Sequence, residues 1–188
     1  MKIRYLLLGL IPILVISLAF SLFANIPGQI NSDGIKYTGV ACRQVIRADG
    51  TVEPQECVHN IVTTAGKNAI KDYVGLSNAA KANFSTLAVA NCSLGQAVGD
   101  TDLCGGERWT TCSVTIAGPD TGFPNSQGTG NWSTSHQWTS SCDTVYVNAT
   151  GVYNSTAPGT MLAEANWTPV TTLMNGDKLN VTYYIWIT

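Results

Sequence analysis

Six cysteines, seven N-x-S/T tripeptides and one acidic loop are the parts of this sequence whose residue types could do covalent or coordination chemistry. Cys42 and Cys57 bound the stretch CRQVIRADGTVEPQEC, whose Asp49-Gly50 pair is a hairpin signal, because a type I′ turn needs positive φ at both central positions. In a two-residue hairpin on that pair, facing residues have numbers that add to 99, which Cys42 and Cys57 satisfy. A disulfide is therefore expected there, at a hydrogen-bonded pair, with Arg43 facing Glu56 and Pro54 facing Val45. Cys92, Cys104, Cys112 and Cys142 allow three pairings, of which 92–104 and 112–142 are expected. The first closes the loop NCSLGQAVGDTDLC and the second links two strands. Zinc takes close ligand pairs, and neither C-x-x-C nor H-x-x-x-H occurs.

The sequons begin at Asn83, Asn91, Asn131, Asn148, Asn154, Asn166 and Asn180, where roughly three would arise by chance from the Ser and Thr content. Pro169 after Thr168 weakens the one at Asn166. Asp100, Asp102 and Glu107 in GDTDLCGGE are oxygen ligands of the kind that hold calcium, but their number and order are not those of an EF-hand, and a polar turn accounts for them. His59 and His136 stand apart from any partner base or nucleophile, and a structural role is expected for both. Trp109, Trp132, Trp138, Trp167 and Trp186 could form a sugar-binding platform. All five fall in expected strands, where aromatic residues more commonly fill core or rim positions. No nucleophile elbow, phosphate-binding loop, dinucleotide fingerprint or zincin motif is present, so neither catalysis nor a cofactor or metal is expected.

Disulfides and N-glycans form on exported chains, so an export signal and a fold to hold these residues are expected. Residues 1–24, MKIRYLLLGLIPILVISLAFSLFA, place Lys2 and Arg4 before an uncharged apolar run, the pattern of a signal peptide or a membrane anchor. Membrane contact is expected only through this segment, if it is retained. An even set of cysteines behind an export signal reads as a disulfide framework for a secreted or cell-surface protein. Charged residues make up 12 % of the chain and its formal charge is −2, with no basic stripe for nucleic acid. Removal of Lys2 and Arg4 would leave eight basic against twelve acidic residues, a net −4.

Residues 25–34 have the composition of a linker. Residues 35–58 read as a disulfide-stapled hairpin arm, because neither of its faces is cleanly apolar, and 59–188 as the main domain. One short helix is expected from an N-cap at Thr64 to a stop at Gly75, with Ala65, Ala69, Ile70, Tyr73 and Val74 on one stripe. Strands are expected near 84–90, 109–117, 131–139, 144–153, 160–168 and 178–188. The last alternates cleanly, with Leu179, Val181, Tyr183, Ile185 and Ile187 on one face and Asn180 on the other. The expected fold class is mostly β: an antiparallel β-sandwich, immunoglobulin-like or pilin-like, with one short helix and an N-terminal hydrophobic helix.

HNIVTTAGKNAIKDYVG, FSTLAVANCSLGQAVGDTDL with Glu107 and Arg108 after it, and GVYN…GTMLAEANWTPVTTLMNGDKLNVTYYIWIT resemble a broad family of small β-sandwich domains. The family occurs in phage tail-fibre-like proteins and in exported archaeal surface proteins, and the resemblance runs from about His59 to Thr188. It implies a structural or adhesive module. A looser similarity, of architecture alone, is to archaeal thread-like pilins joined by donated strands. The export segment, cysteines and sequons depart from the tail-fibre pattern and favour a cell-surface protein.

The expected function is thus a structural subunit of an extracellular, N-glycosylated filament whose partners are other copies of itself and N-glycans. Ile35, Tyr37 and Val40 are expected to make the subunit contact by entering a neighbour's sheet. A monomeric membrane-anchored adhesin or ligand-binding module and a virion tail component are the alternatives.

Overall fold

The computed structural model describes residues 37–75, 83–103, 112–121, 124–128, 130–156 and 159–187. Two antiparallel sheets face each other. The first has five strands in the order β2-β1-β9-β6-β5, and the second has four in the order β3-β8-β7-β4. The strands are β1 (Tyr37–Ile46), β2 (Glu56–His59), β3 (Ile61–Val62), β4 (Thr86–Ala90), β5 (Asn125–Gly128), β6 (Asn131–Thr139), β7 (Val145–Tyr153), β8 (Met161–Leu173) and β9 (Lys178–Ile187), with one helix, α1 (Thr64–Gly75). The expected N-terminal helix lies outside the described residues. Among those described, no helix is long and apolar enough to cross a membrane.

The hairpin keeps the expected facing pairs at its far end, Cys42 opposite Cys57 and Arg43 opposite Glu56, and the disulfide is formed. Its turn is different. Gly50 N–H donates to the Arg47 carbonyl, Arg47 N–H donates to the Thr51 carbonyl, and Gly50 takes φ 89°, which is a three-residue loop, not a two-residue one. That loop pairs Ile46 with Val52 and lets Glu53 N–H donate to the Val45 carbonyl, one residue out of step with the cysteines. An extra residue at Pro54-Gln55 restores the step, and Pro54, without an N–H, sits in that bulge, not opposite Val45. The half-step also changes the cysteine pair. Its Cα atoms are 4.0 Å apart, the close spacing of a non-hydrogen-bonded pair.

The hairpin is not a separate arm. β1 pairs with β9 over ten residues, from Tyr37 opposite Ile187 to Ile46 opposite Lys178, so it is an interior strand. Its odd-numbered side chains face the core: Ala41 and Val45 are buried among the main cluster, and Arg43 is buried between them. Arg43 hid this face in the sequence, since a charge at its centre reads as polar. Ile35–Thr188 accordingly forms one compact unit, and the expected boundary at 58/59 disappears. Tyr37 and Val40, expected to enter a neighbour, are paired in their own sheet opposite Ile187 and Tyr184, while Ile35 lies outside the described residues.

The sandwich core is built by the alternation of each strand. Leu179, Val181, Tyr183 and Ile185 of β9 meet Val145, Val147 and Val152 of β7, Ala163, Ala165 and Trp167 of β8, and Leu87 and Val89 of β4. The second sheet is covered on its other face as well. Ala88, Ala90, Ala149, Tyr153 and Met161 pack there against Cys92 and Leu103 of the segment that follows β4, which is why TLAVA is buried at every position.

Some expected elements differ. Thr63, not Thr64, caps α1: its buried hydroxyl accepts Gly66 N–H at 3.0 Å and donates to the Met161 carbonyl. Gly66 lies against β8 so closely that a Cβ there would fall 2.7 Å from Leu162 Cα. The described part of the expected strand 109–117 makes a single bridge, Ala117 to Leu87, because Cys112 and Ser113 take φ of 59° and 62°. β5 was not expected, since NSQG carries no apolar alternation. β8 runs five residues beyond its expected end, through Pro169, where the register with β7 shifts.

Candidate functional site

Three places gather polar chemistry. The first lies beneath the segment following β4. Glu164 of β8 faces outward from the second sheet opposite Gly151, a position a strand normally leaves to water, yet it is 1 % exposed. Ala97 N–H donates to it at 2.8 Å and also to Asp100 at 2.9 Å. Burial, and then a hydrogen bond with the Asp100 carboxyl, push the Glu164 pKa up to about 7, against the pull of Ala97 N–H. Asp102, which the sequence grouped with Asp100, turns away: it accepts the Tyr153 hydroxyl at 2.6 Å, and Leu103 N–H donates both to Asp102 and to Tyr153 Oη. Glu107 lies outside the described residues. Among those described, no three His, Cys, Asp or Glu side chains are grouped to hold a metal. The arrangement is a pair of carboxyl groups that share one backbone N–H and fasten a loop to a sheet.

The second place is the end of the sandwich at the hairpin turn. Arg47 Nη1 donates to Asp177 at 2.6 Å and to the Thr172 carbonyl at 2.8 Å, and its Nε donates to Glu53 at 2.7 Å. Asp177 is 2 % exposed, and burial alone would raise its pKa. Met174 N–H and Ala48 N–H, each at 2.9 Å, together with Arg47, outweigh burial and hold it below the ordinary carboxylate value. Deeper along β1, Arg43 donates to Glu56 at 2.6 and 2.9 Å and to the Pro169 carbonyl at 2.7 Å, with its guanidinium carbon 5.3 Å from the centre of the Trp167 ring. Both arginines thus bind backbone carbonyls of β8 beyond the point where β3 stops pairing with it.

The third place is the outer face of the five-stranded sheet. Gln44, Asn180 and Gln137 stand side by side on β1, β9 and β6, and Thr182 and Ser135 form the next row. Gln137 Nε2 donates to Asn180 Oδ1 at 2.7 Å, and the Ser135 and Thr182 hydroxyls are 2.9 Å apart. With Asp120 and Thr121 at the rim they line an open groove of about 630 Å³. Tyr184 and Trp186 continue the outward row of β9, stacked with ring centres 6.4 Å apart and planes at 24°. Sequence reasoning named Asn180 and Trp186 separately. It missed Gln44 and Gln137, which only the pairing of three distant strands aligns with Asn180.

Of the other expected residues, His59 is exposed on β2. His136 lies 2.9 Å from Asp120, out of line for a hydrogen bond, and edge-on to Trp138 at 4.6 Å. Trp138 and Trp167 are core residues, Trp132 packs at the core margin, and Trp109 lies outside the described residues. Cys112–Cys142 is formed. Cys92 is also disulfide-bonded, and its expected partner Cys104 lies outside the described residues.

The sequons divide by environment. Asn83 and Asn91 are exposed, and Asn131 and Asn154 are half-buried. The amide nitrogens of Asn148 and Asn166 donate to the carbonyls of Cys92 and Leu94, so in the folded chain they clamp the segment after β4 and do not project into solvent. No protein family matches the chain, and no characterised protein matches its sequence.

Proposed function

We propose that the chain is a structural subunit of an extracellular filament at the cell surface, glycosylated at exposed sequons such as Asn83 and Asn91, whose copies join by exchanging strands. The observation that carries this reading is the way the hairpin is attached. The Cys42–Cys57 disulfide makes β1 and β2 one stiff unit, ten backbone pairs hold it to β9, and Asn60 alone separates β2 from β3 in the other sheet. A unit tied in by so short a link can make the same ten pairs with β9 of another copy. Such a contact is head to tail and does not close on itself, so it propagates as a filament. The disulfides support an oxidising compartment, and the apolar segment 1–24 supports export.

A cysteine pair across the exchanged ladder tests this. Ile46→Cys with Lys178→Cys places two thiols opposite each other on β1 and β9. In assembled surface material, non-reducing electrophoresis is expected to show a ladder of covalent multimers. Assembled material that yields only monomer-sized chains would overturn strand exchange, and surfaces without polymers in electron micrographs would overturn the filament. The polar outer face of the first sheet favours a second reading, a surface adhesin with residues 1–24 retained as an anchor. A native chain whose first residue is near Met1 supports that reading, and one starting near Leu22 or Asn25 counts against it.

A further inference from the structure

We propose that the outer face of the five-stranded sheet binds a neutral oligosaccharide carried by another molecule, with the amide row as its hydrogen-bonding floor and Tyr184 and Trp186 as its stacking platform. This goes beyond the filament reading and does not depend on it. A sugar hydroxyl both donates and accepts, and so does a primary amide or an alcohol side chain, whereas carboxylates only accept and ammonium groups only donate. Gln44, Asn180, Gln137, Thr182 and Ser135 supply five neutral groups of the matching kind.

Their mutual bonds set their orientation in advance. With Gln137 Nε2 donating to Asn180 Oδ1, the Asn180 amide nitrogen and the Gln137 amide oxygen remain to bond a ligand. Among the described residues, Asp120 is the one charged group lining the groove, negative and beside His136, and no Lys or Arg lines it. That balance disfavours nucleic acid and anionic lipid, which need cations. An amide floor is also too polar for the fully desolvated apolar centre of a protein interface.

Geometry adds a length. From Asn180 to Trp186 the outward positions of β9 read amide, hydroxyl, aromatic, aromatic, and at about 3.4 Å per residue the row spans roughly 20 Å, about four sugar rings end to end. Tyr184 and Trp186, half-buried and near-parallel, are the aromatic end of the row for the C–H side of a sugar, while the amides take its hydroxyl edge. One consequence follows for modification. An N-glycan on Asn180 would grow from the groove floor and block it, so Asn180 is expected to be unmodified although it begins a sequon.

The test is affinity electrophoresis of the full exported protein in native gels cast with mixed-linkage β-glucan, galactomannan or dextran, together with mass spectrometry of the peptide holding Asn180. Retardation is expected in at least one gel, at least tenfold weaker for Trp186→Ala, several-fold weaker for Gln137→Ala, largely restored for Trp186→Phe, and unchanged for Tyr146→Ala on the other sheet. The Phe variant separates loss of stacking from loss of folding. Absence of retardation in all three gels, undiminished retardation in the Trp186→Ala and Gln137→Ala variants, or a glycan on Asn180 would each overturn the proposal.

Discussion

Asp177, in the turn between β8 and β9, and Glu164, on β8, are both carboxylates and both almost wholly buried, yet their pKa values are shifted in opposite directions. Asp177 meets a guanidinium and two backbone N–H groups, which stabilise its charge more than burial penalises it. Glu164 meets one N–H, shared with a second carboxyl, and keeps its proton to higher pH. Burial alone therefore does not decide the state of an acid in this sandwich; the count of donors around it does. The linkage follows. Asp177, lowered from 3.8, contributes stability that is present above that value and lost as pH falls through its depressed folded pKa. Glu164, raised from 4.5 to about 7, leaves the fold unpenalised below 4.5 and weakens it as pH rises toward 7.

The contrast can be broken most strongly at Asp177. Asp177→Ala takes the acceptor from two N–H groups and one acceptor of several from Arg47, and a loss of about 3–4 kcal/mol at pH 7 is expected from urea titration. The deficit should shrink below pH 3, and a midpoint equal to that of the parent at pH 7 would show that those contacts carry no stability. Glu164→Gln should act with the opposite sign, stabilising by up to about 3 kcal/mol at pH 8 and leaving stability unchanged at pH 4. A variant less stable than the parent at pH 8 would contradict the raised Glu164 pKa. The smallest effect sharpens the pair itself. Asp100→Asn removes the second acid, so the Glu164 titration followed by carbon NMR should move down from about 7, by an amount worth roughly 1 kcal/mol.

The sequence carried this chemistry unevenly. The alternation of β9 was plain because one face is buried and the other is not, and the cysteine pairing was plain because both residues are set by one turn. The turn type was not, since a three-residue loop plus a bulge at Pro54 gives the same facing cysteines as a two-residue loop without one. β1 reads as an arm because Arg43 interrupts its apolar face; only the structure brings Glu56, the Pro169 carbonyl and Trp167 to that guanidinium. Glu164 was invisible for the converse reason. In MLAEANW it occupies an outward strand position, where an acid is ordinarily solvated, and nothing local announces that a segment 67 residues upstream folds over it. The amide row was equally hidden, because Gln44, Asn180 and Gln137 come from three distant strands and only pairing aligns them. Pro169 read as a strand end, yet β8 continues through it at a register shift, with the Pro169 and Thr172 carbonyls bound by arginine side chains.

The placement of the Cys42–Cys57 bond has a mechanical consequence. Because β1 runs antiparallel to β9 with Tyr37 opposite Ile187, tension applied at those two residues peels the ladder one pair at a time, a weak geometry for resisting load. After Ala41 the pull reaches Cys42 and crosses the sulfur bridge directly to Cys57, bypassing the chain between them, a sequence separation of 15 that would otherwise release about 50 Å of slack. Arg43 and Arg47, the grips on β8, lie inside that bypassed span and bear none of the strain.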